Sequence, residues 1–144
     1  METKWFEVRI QHNKLLENGM EKKVTEAYMT EALSHSEAEA RMIEHIRPYI
    51  RGEFDIAAVR KAKYAEIFFA NNEPDNCWYK CKLAFIVLDE RTGQEKKTNV
   101  NILVNASDIR DAINCLDEGM KSTLSDYVIT SIAETPIIEV HKYE

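Results

Sequence analysis

Two stretches of the sequence decide the fold: Trp5-Phe6-Glu7-Val8-Arg9-Ile10 and Trp78-Tyr79-Lys80-Cys81-Lys82-Leu83. Each begins with an aromatic pair and continues in alternation, which is the pattern of a strand with one buried face. Trp78 follows Trp5 by 73 positions. Because recurrence at a fixed displacement is typical of a repeated unit, the sequence predicts an internal duplication.

The turns and charges that follow each strand support the repeat. Asn18-Gly19 and Thr92-Gly93 provide the positive φ angles that hairpin turns require. Glu21-Lys22-Lys23 and Glu95-Lys96-Lys97 come next, at a displacement of 74 positions. Each stretch is therefore expected to be the first strand of a β-hairpin.

An amphipathic helix is predicted after each hairpin. Ser36-Glu37-Ala38-Glu39 has the pattern of a capping box, and Ser107 is the expected N-cap of the second helix. Ile46 and Leu116 are expected to be equivalent buried positions, 70 positions apart. Strands rich in β-branched and aromatic residues then follow over 54–60, 64–69, 127–132 and 137–141.

These elements predict an α+β fold. We expect one domain, 1–144, in which two tandem ββαβ-type halves pack as a pseudo-two-fold pair, with mostly antiparallel sheet and two helices. The halves are 5–69 and 78–142, and the polar segment 70–77 is the linker between them.

Composition limits the classes of partner. The 144 residues carry a net charge of −6, which disfavours a protein that coats duplex DNA or an anionic membrane. No apolar stretch reaches the length of a membrane span, and the first residues have no signal-peptide pattern. We therefore expect a cytoplasmic protein with no membrane partner.

Motifs of catalysis and metal binding are missing from the sequence. No phosphate-binding loop, dinucleotide fingerprint, zincin motif or nucleophile elbow occurs. The three cysteines include no C-x-x-C pair, and the four histidines are scattered. The sequence thus predicts a non-enzymatic protein with no catalytic residue, cofactor, structural metal or disulfide.

Tryptophan and cationic residues share one strand face in each half, opposite the apolar face. Aromatic rings beside cations on an open sheet can stack bases and contact phosphates of single-stranded nucleic acids. The candidate nucleic-acid-binding residues are Trp5, Arg9, Trp78, Lys80 and Lys82. Alternatively, both tryptophans close the ends of a core and the lysines are solvated. In a third interpretation, the open face or a sheet edge contacts another protein.

Several blocks resemble one family along nearly the whole chain. They include Gly52-Glu53-Phe54, Tyr64-Ala65-Glu66-Ile67-Phe68-Phe69, Trp78-Tyr79-Lys80 and Glu118-Gly119-Met120. The sequence is similar to a family of small uncharacterised proteins, a domain of unknown function common in gut anaerobes and their phages. The resemblance implies no activity, cofactor or site residue, and the phage occurrence favours nucleic-acid transactions or host interaction.

The function expected from the sequence is therefore binding. The first hypothesis is a single-stranded nucleic-acid or nucleoprotein accessory protein, supported by the duplicated Trp and Lys faces. The alternative is a protein-interaction or assembly module, which the acidic net charge favours.

Overall fold

The computed structural model describes residues 2–69, 73, 75–123 and 126–143. It divides into two compact units: unit 1 is Met1–Ala62 with Pro136–Glu144, and unit 2 is Lys63–Thr135. Among the residues described, no helix is long and apolar enough to cross a membrane.

The elements of secondary structure confirm an α+β fold that is mostly strand. In chain order they are β1 (Lys4–Leu15), β2 (Glu21–Ala32), α1 (His35–Ile46), β3 (Phe54–Lys61), β4 (Glu66–Phe68), β5 (Cys77–Leu88), β6 (Glu95–Ala106), α2 (Ile109–Gly119), β7 (Tyr127–Glu134) and β8 (Ile137–His141).

Unit 1 is a four-stranded sheet with strand order β3-β1-β2-β8, covered on one face by α1. The pairs β1–β2 and β1–β3 are antiparallel, whereas β8 runs parallel to β2. Alternate β1 residues Phe6, Val8 and Ile10 are buried against the helix. The helix contributes Met42 and Ile46 to the same core, so burial of one face of each element holds the unit together.

Unit 2 has the corresponding strand order, β7-β5-β6-β4, with α2 on one face. Here β4 is the parallel edge strand and pairs with β6. Tyr79, Cys81 and Leu83 of β5 pack with Ala112 and Leu116 of α2. The amphipathic pattern that predicted two helices therefore accounts for both cores.

Pairing registers also match between the units. Phe6 pairs with Thr30 and Lys61, and Tyr79 pairs with Val104 and Glu134. Each first strand carries a register shift at the corresponding place, between Arg9 and Ile10 and between Lys82 and Leu83. Descent of the halves from one duplicated unit stays a prediction.

The compact units do not coincide with the predicted halves 5–69 and 78–142. Strand β4 lies in the first half of the chain but pairs with β6, and β8 lies in the second half but pairs with β2. Each sheet thus takes its last strand from the other half. Of the predicted linker 70–77, residues 70–72 and 74 lie outside the described residues, and Cys77 begins β5.

Both helices begin at a different residue from the one predicted. The capping box of α1 starts at Ser34, whose hydroxyl accepts from the Glu37 amide at 3.1 Å while the Glu37 carboxylate accepts from the Leu33 amide at 3.1 Å. Ser36 is already helical. The N-cap of α2 is Asp108 rather than Ser107.

The caps correct the predicted equivalence of Ile46 and Leu116. Aligning Ser34 with Asp108 gives a displacement of 74 positions, close to that of the strands, so Leu116 corresponds to Met42 and Ile46 to Met120. All four side chains are buried, as the apolar pattern predicted. The predicted equivalence failed because the helices were aligned at a displacement of 70 positions by their apolar residues and not by their caps.

We predict that Leu116→Ala lowers the free energy of unfolding by about 2–5 kcal/mol, because a fully buried leucine leaves a cavity. Leu88→Ala is the matched control, since Leu88 is 61% exposed, and it should cost less than about 0.5 kcal/mol. Urea unfolding followed by circular dichroism measures both. Equal losses in the two variants would contradict the assignment of the unit 2 core.

Candidate binding groove and the predicted cationic face

The five predicted nucleic-acid-binding residues lie on two strands. Trp5 and Arg9 belong to β1 of unit 1, whereas Trp78, Lys80 and Lys82 belong to β5 of unit 2. Alternation along each strand puts them on the face opposite the helix-covered core. The structure therefore brings together two of them in unit 1 and three in unit 2.

The predicted open face is not open at Trp78. This side chain is only 2% exposed, and its ring meets Phe69 edge to face with centroids 5.5 Å apart. Its neighbours Leu103 and Asn105 on β6 are buried as well. A base cannot stack on the Trp78 ring in this arrangement, and the apolar body of the ring explains its burial.

The other four candidates are more accessible. Trp5 and Lys80 are half-buried, and Lys82 is exposed. Arg9 donates through Nε to the Glu7 carboxylate at 3.3 Å. The candidate cations are therefore at least partly accessible, Arg9 in unit 1 and Lys80 and Lys82 in unit 2, whereas the Trp78 ring is not.

A groove in unit 2 is a second candidate site, which the sequence did not predict. It has a volume of about 600 Å³, within the ordinary range for ligand pockets, and lies between α2 and the edge strand β4. We call it the unit 2 groove. Its lining residues are Ile67, Phe68, Phe69, Asn114, Cys115, Glu118 and Gly119.

Gly119 fixes the position of the Phe68 ring in this groove. A Cβ atom at Gly119 would lie 2.7 Å from the ring atoms of Phe68, a distance that forces one of the groups to move. The backbone of Gly119 is helical, so the glycine is required by the close approach of the ring and not by a special φ angle. The absence of a side chain at residue 119 lets the aromatic ring pack against the helix.

Cys115 and Asp111 lie one helical turn apart on α2. The Cys115 thiol donates to the Asp111 carboxylate at 3.8 Å. Burial raises the pKa of Cys115, and the negative charge of Asp111 raises it further. Hydrogen bonds from the Ser107 amide and hydroxyl lower the pKa of Asp111. At neutral pH the pair is therefore a thiol and a carboxylate.

Aromatic and cationic side chains cover the corresponding place in unit 1, between α1 and β8. His45 stacks on His141 with ring centroids 4.3 Å apart and an interplanar angle of 9°. Arg41 lies over the ring of Tyr143 at 4.6 Å and donates to the Lys142 carbonyl at 3.4 Å. Burial, followed by the charge of His45, lowers the pKa of His141, and Glu139 opposes this.

The two places can be compared residue by residue. His141 pairs with Thr30 as Phe68 pairs with Val104, so His141 and Phe68 are equivalent in register. By alignment of the caps, His45 corresponds to Gly119 and Arg41 to Cys115. Small residues therefore replace both long side chains in unit 2: the Phe68 ring fills the space beside Gly119, and Cys115 lines the groove.

The sequence did not predict this groove, because the displacement of 70 positions assigned to the helices did not set Gly119 against His45. The available signal was the displacement of 74 positions, which sets Arg41 against Cys115 and His45 against Gly119. Reading it required the correct caps. It also required the exchange of β4 and β8, which no local pattern shows.

These features define a mostly strand α+β protein of two units, with an apolar groove between α2 and β4 in unit 2. Comparison with known families matches residues 4–143 to the domain of unknown function DUF4494. The chain belongs to this family. No curated protein matches the sequence.

We predict that Gly119→Ala lowers the free energy of unfolding by about 1–3 kcal/mol, because the new methyl group overpacks against Phe68. In a Phe68→Ala background the same change should instead stabilise the chain by up to about 1 kcal/mol, the helix preference of alanine over glycine. A double-mutant cycle by urea unfolding measures this coupling. Additive effects would show that the contact is absent.

Proposed function

We propose that the protein is a non-catalytic binding module that docks a segment of another protein in the unit 2 groove. One observation carries the proposal: an apolar groove is open in unit 2 at the place that Arg41 and His45 cover in unit 1. Concave apolar surfaces with a few polar groups are typical binding sites. Here Asn114 and Glu118 provide those polar groups.

The chemistry of the groove favours binding over catalysis. Burial raises the pKa of Cys115, and a protonated thiol is a poor nucleophile. Hydrogen bonds lower the pKa of Asp111, which makes this carboxylate a weak general base. The groove residues therefore suit recognition of a partner better than proton or group transfer.

Single-stranded nucleic-acid binding is the second candidate function. The exposed Lys82 and the half-buried Lys80 on β5 favour it, together with Arg9 on β1. Burial of Trp78 speaks against base stacking at that ring. Binding would then depend on phosphate contacts and on Trp5, and would fall steeply with salt.

Three further inferences belong to this proposal. The equal strand orders and registers support descent of the two halves from one duplicated unit. We expect the protein to act in the cytoplasm, without a membrane partner or a cofactor. Occurrence in gut anaerobes and their phages, which the resemblance implies, would favour a partner encoded by phage or host.

We predict that a photo-cross-linking residue, p-benzoylphenylalanine, captures a protein when it replaces Asn114, because this exposed side chain lines the groove. The matched control carries the same residue at Tyr49, which is 85% exposed in unit 1. Irradiated lysate of the organism that encodes the protein is analysed by gel and mass spectrometry, with and without nuclease.

The expected result is a discrete protein adduct at residue 114 that persists after nuclease treatment and is absent at residue 49. An adduct that disappears after nuclease treatment would favour the nucleic-acid candidate. Identical products at both positions, or none, would contradict docking in the groove.

A further inference from the structure

The inference that follows rests on the proposed function and specifies what the groove binds. Unit 1 shows which side chains cover the junction between the helix and the parallel edge strand in this fold. A planar cation, Arg41, and an imidazole, His45, extend from consecutive turns of α1. Each lies against a ring from the C-terminal segment, Tyr143 for the guanidinium and His141 for the imidazole.

Unit 2 has an aromatic ring at one of these two ring positions and lacks both long side chains on the helix. Phe68 is the equivalent of His141, and Phe69 follows it in the groove lining. By the same register, the equivalent of Tyr143 is residue 70, which lies outside the described residues. On the helix, a thiol and a glycine occupy the positions of the guanidinium and the imidazole. The groove beside Phe68 is therefore lined by the helix positions at which unit 1 has the planar side chains of Arg41 and His45.

One carboxylate lines the groove, and others lie on the same two elements, β4 and α2. Glu118 lines the groove, and Glu66 is exposed on the same face of β4 as Phe68, because residues two apart on a strand share a face. Asp111 lies one turn from Cys115 and is held as a carboxylate. Lys121 contacts Glu118 at 2.8 Å, but both side chains are more than 70% exposed, so an incoming cation can displace this weak pair.

Aromatic rings combined with carboxylates select one kind of side chain. A guanidinium stacks on aromatic faces and donates to carboxylates in its own plane, whereas an ammonium does only the second well. We propose that the unit 2 groove binds an arginine side chain presented by an extended segment of a partner protein. The apolar lining, with Ile67 and Phe69, accommodates the residues beside that arginine.

Four capped tripeptides test the proposal, each with leucine at both ends and arginine, lysine, citrulline or phenylalanine in the centre. Lysine keeps the charge without the planar group, and citrulline keeps the planar group without the charge. The full ¹⁵N-labelled chain is titrated with each peptide. Amide shifts of Phe68, Cys115 and Gly119 report on the groove, and those of Arg41 and His45 serve as the reference in unit 1.

We expect the arginine peptide to shift the groove amides and to bind on the order of tenfold more tightly than the lysine and citrulline peptides. Cys115→Arg should abolish this binding, because it restores on α2 the side chain that covers the junction in unit 1. Thr98→Arg is the matched control, because it adds the same side chain at an exposed residue of unit 2 that does not line the groove, and it should leave the affinity within about twofold.

Three results would overturn the proposal. If the citrulline or lysine peptide binds as tightly as the arginine peptide, the groove does not recognise a group that is both planar and positively charged. If the phenylalanine peptide binds in the groove more tightly than the arginine peptide, the arginine inference fails while docking of a protein segment stands. If no peptide shifts the groove amides, both the inference and the proposed docking site fail.

Discussion

Parallel pairing of a short strand with the second hairpin strand is the interaction on which the rest of each unit depends. In unit 2, the three residues of β4 pair with Ile102 to Val104 of β6, and the Ala65 amide donates to the Asn101 carbonyl just before the strand. In unit 1, β8 pairs with β2 in the same register. Because each short strand comes from the other half of the chain, a complete sheet requires both halves. The same pairing places Phe68 beside α2 and so creates the groove.

The two units have the same strand order but differ in the side chains between the helix and its parallel edge strand. Long planar side chains cover β8 in unit 1, where Arg41 and Tyr143 form a cation–π contact and two histidines stack. In unit 2 the corresponding helix residues are Cys115 and Gly119, and they line a groove together with Phe68, Phe69 and Glu118. At this junction unit 1 is covered by its own side chains, whereas unit 2 has the groove for which we propose a partner. The proposed arginine specificity follows from this difference together with the Glu118 carboxylate in the groove.

Much of the fold could be predicted because it follows from the local periodicity of apolar residues. Alternation in 5–10 and 78–83 gives both first strands, and Gly19 and Gly93 adopt positive φ in the turns, as expected. Pairing between distant segments is not local, and nothing in Glu66-Ile67-Phe68 indicates that its partner is β6 rather than β2. The cationic face was predicted from strand parity, but parity cannot tell a solvated face from a covered one. Trp78 is buried, as in the alternative in which the tryptophans close a core, whereas the nucleic-acid hypothesis required an exposed ring. The groove depends on small residues at two helix positions, Cys115 and Gly119, and patterns of apolar residues do not show this.

Methyl NOE measurements on the full chain test the strand exchange most directly. With Ile, Leu, Val and Met methyl groups labelled in a deuterated background, facing residues of paired strands give strong cross-peaks, because their Cβ atoms lie about 5 Å apart. The account predicts cross-peaks between Ile67 and Leu103 and between Val140 and Met29, which are register partners. Cross-peaks between Ile67 and Met29 together with Val140 and Leu103 would show that each half keeps its own last strand, and would contradict it.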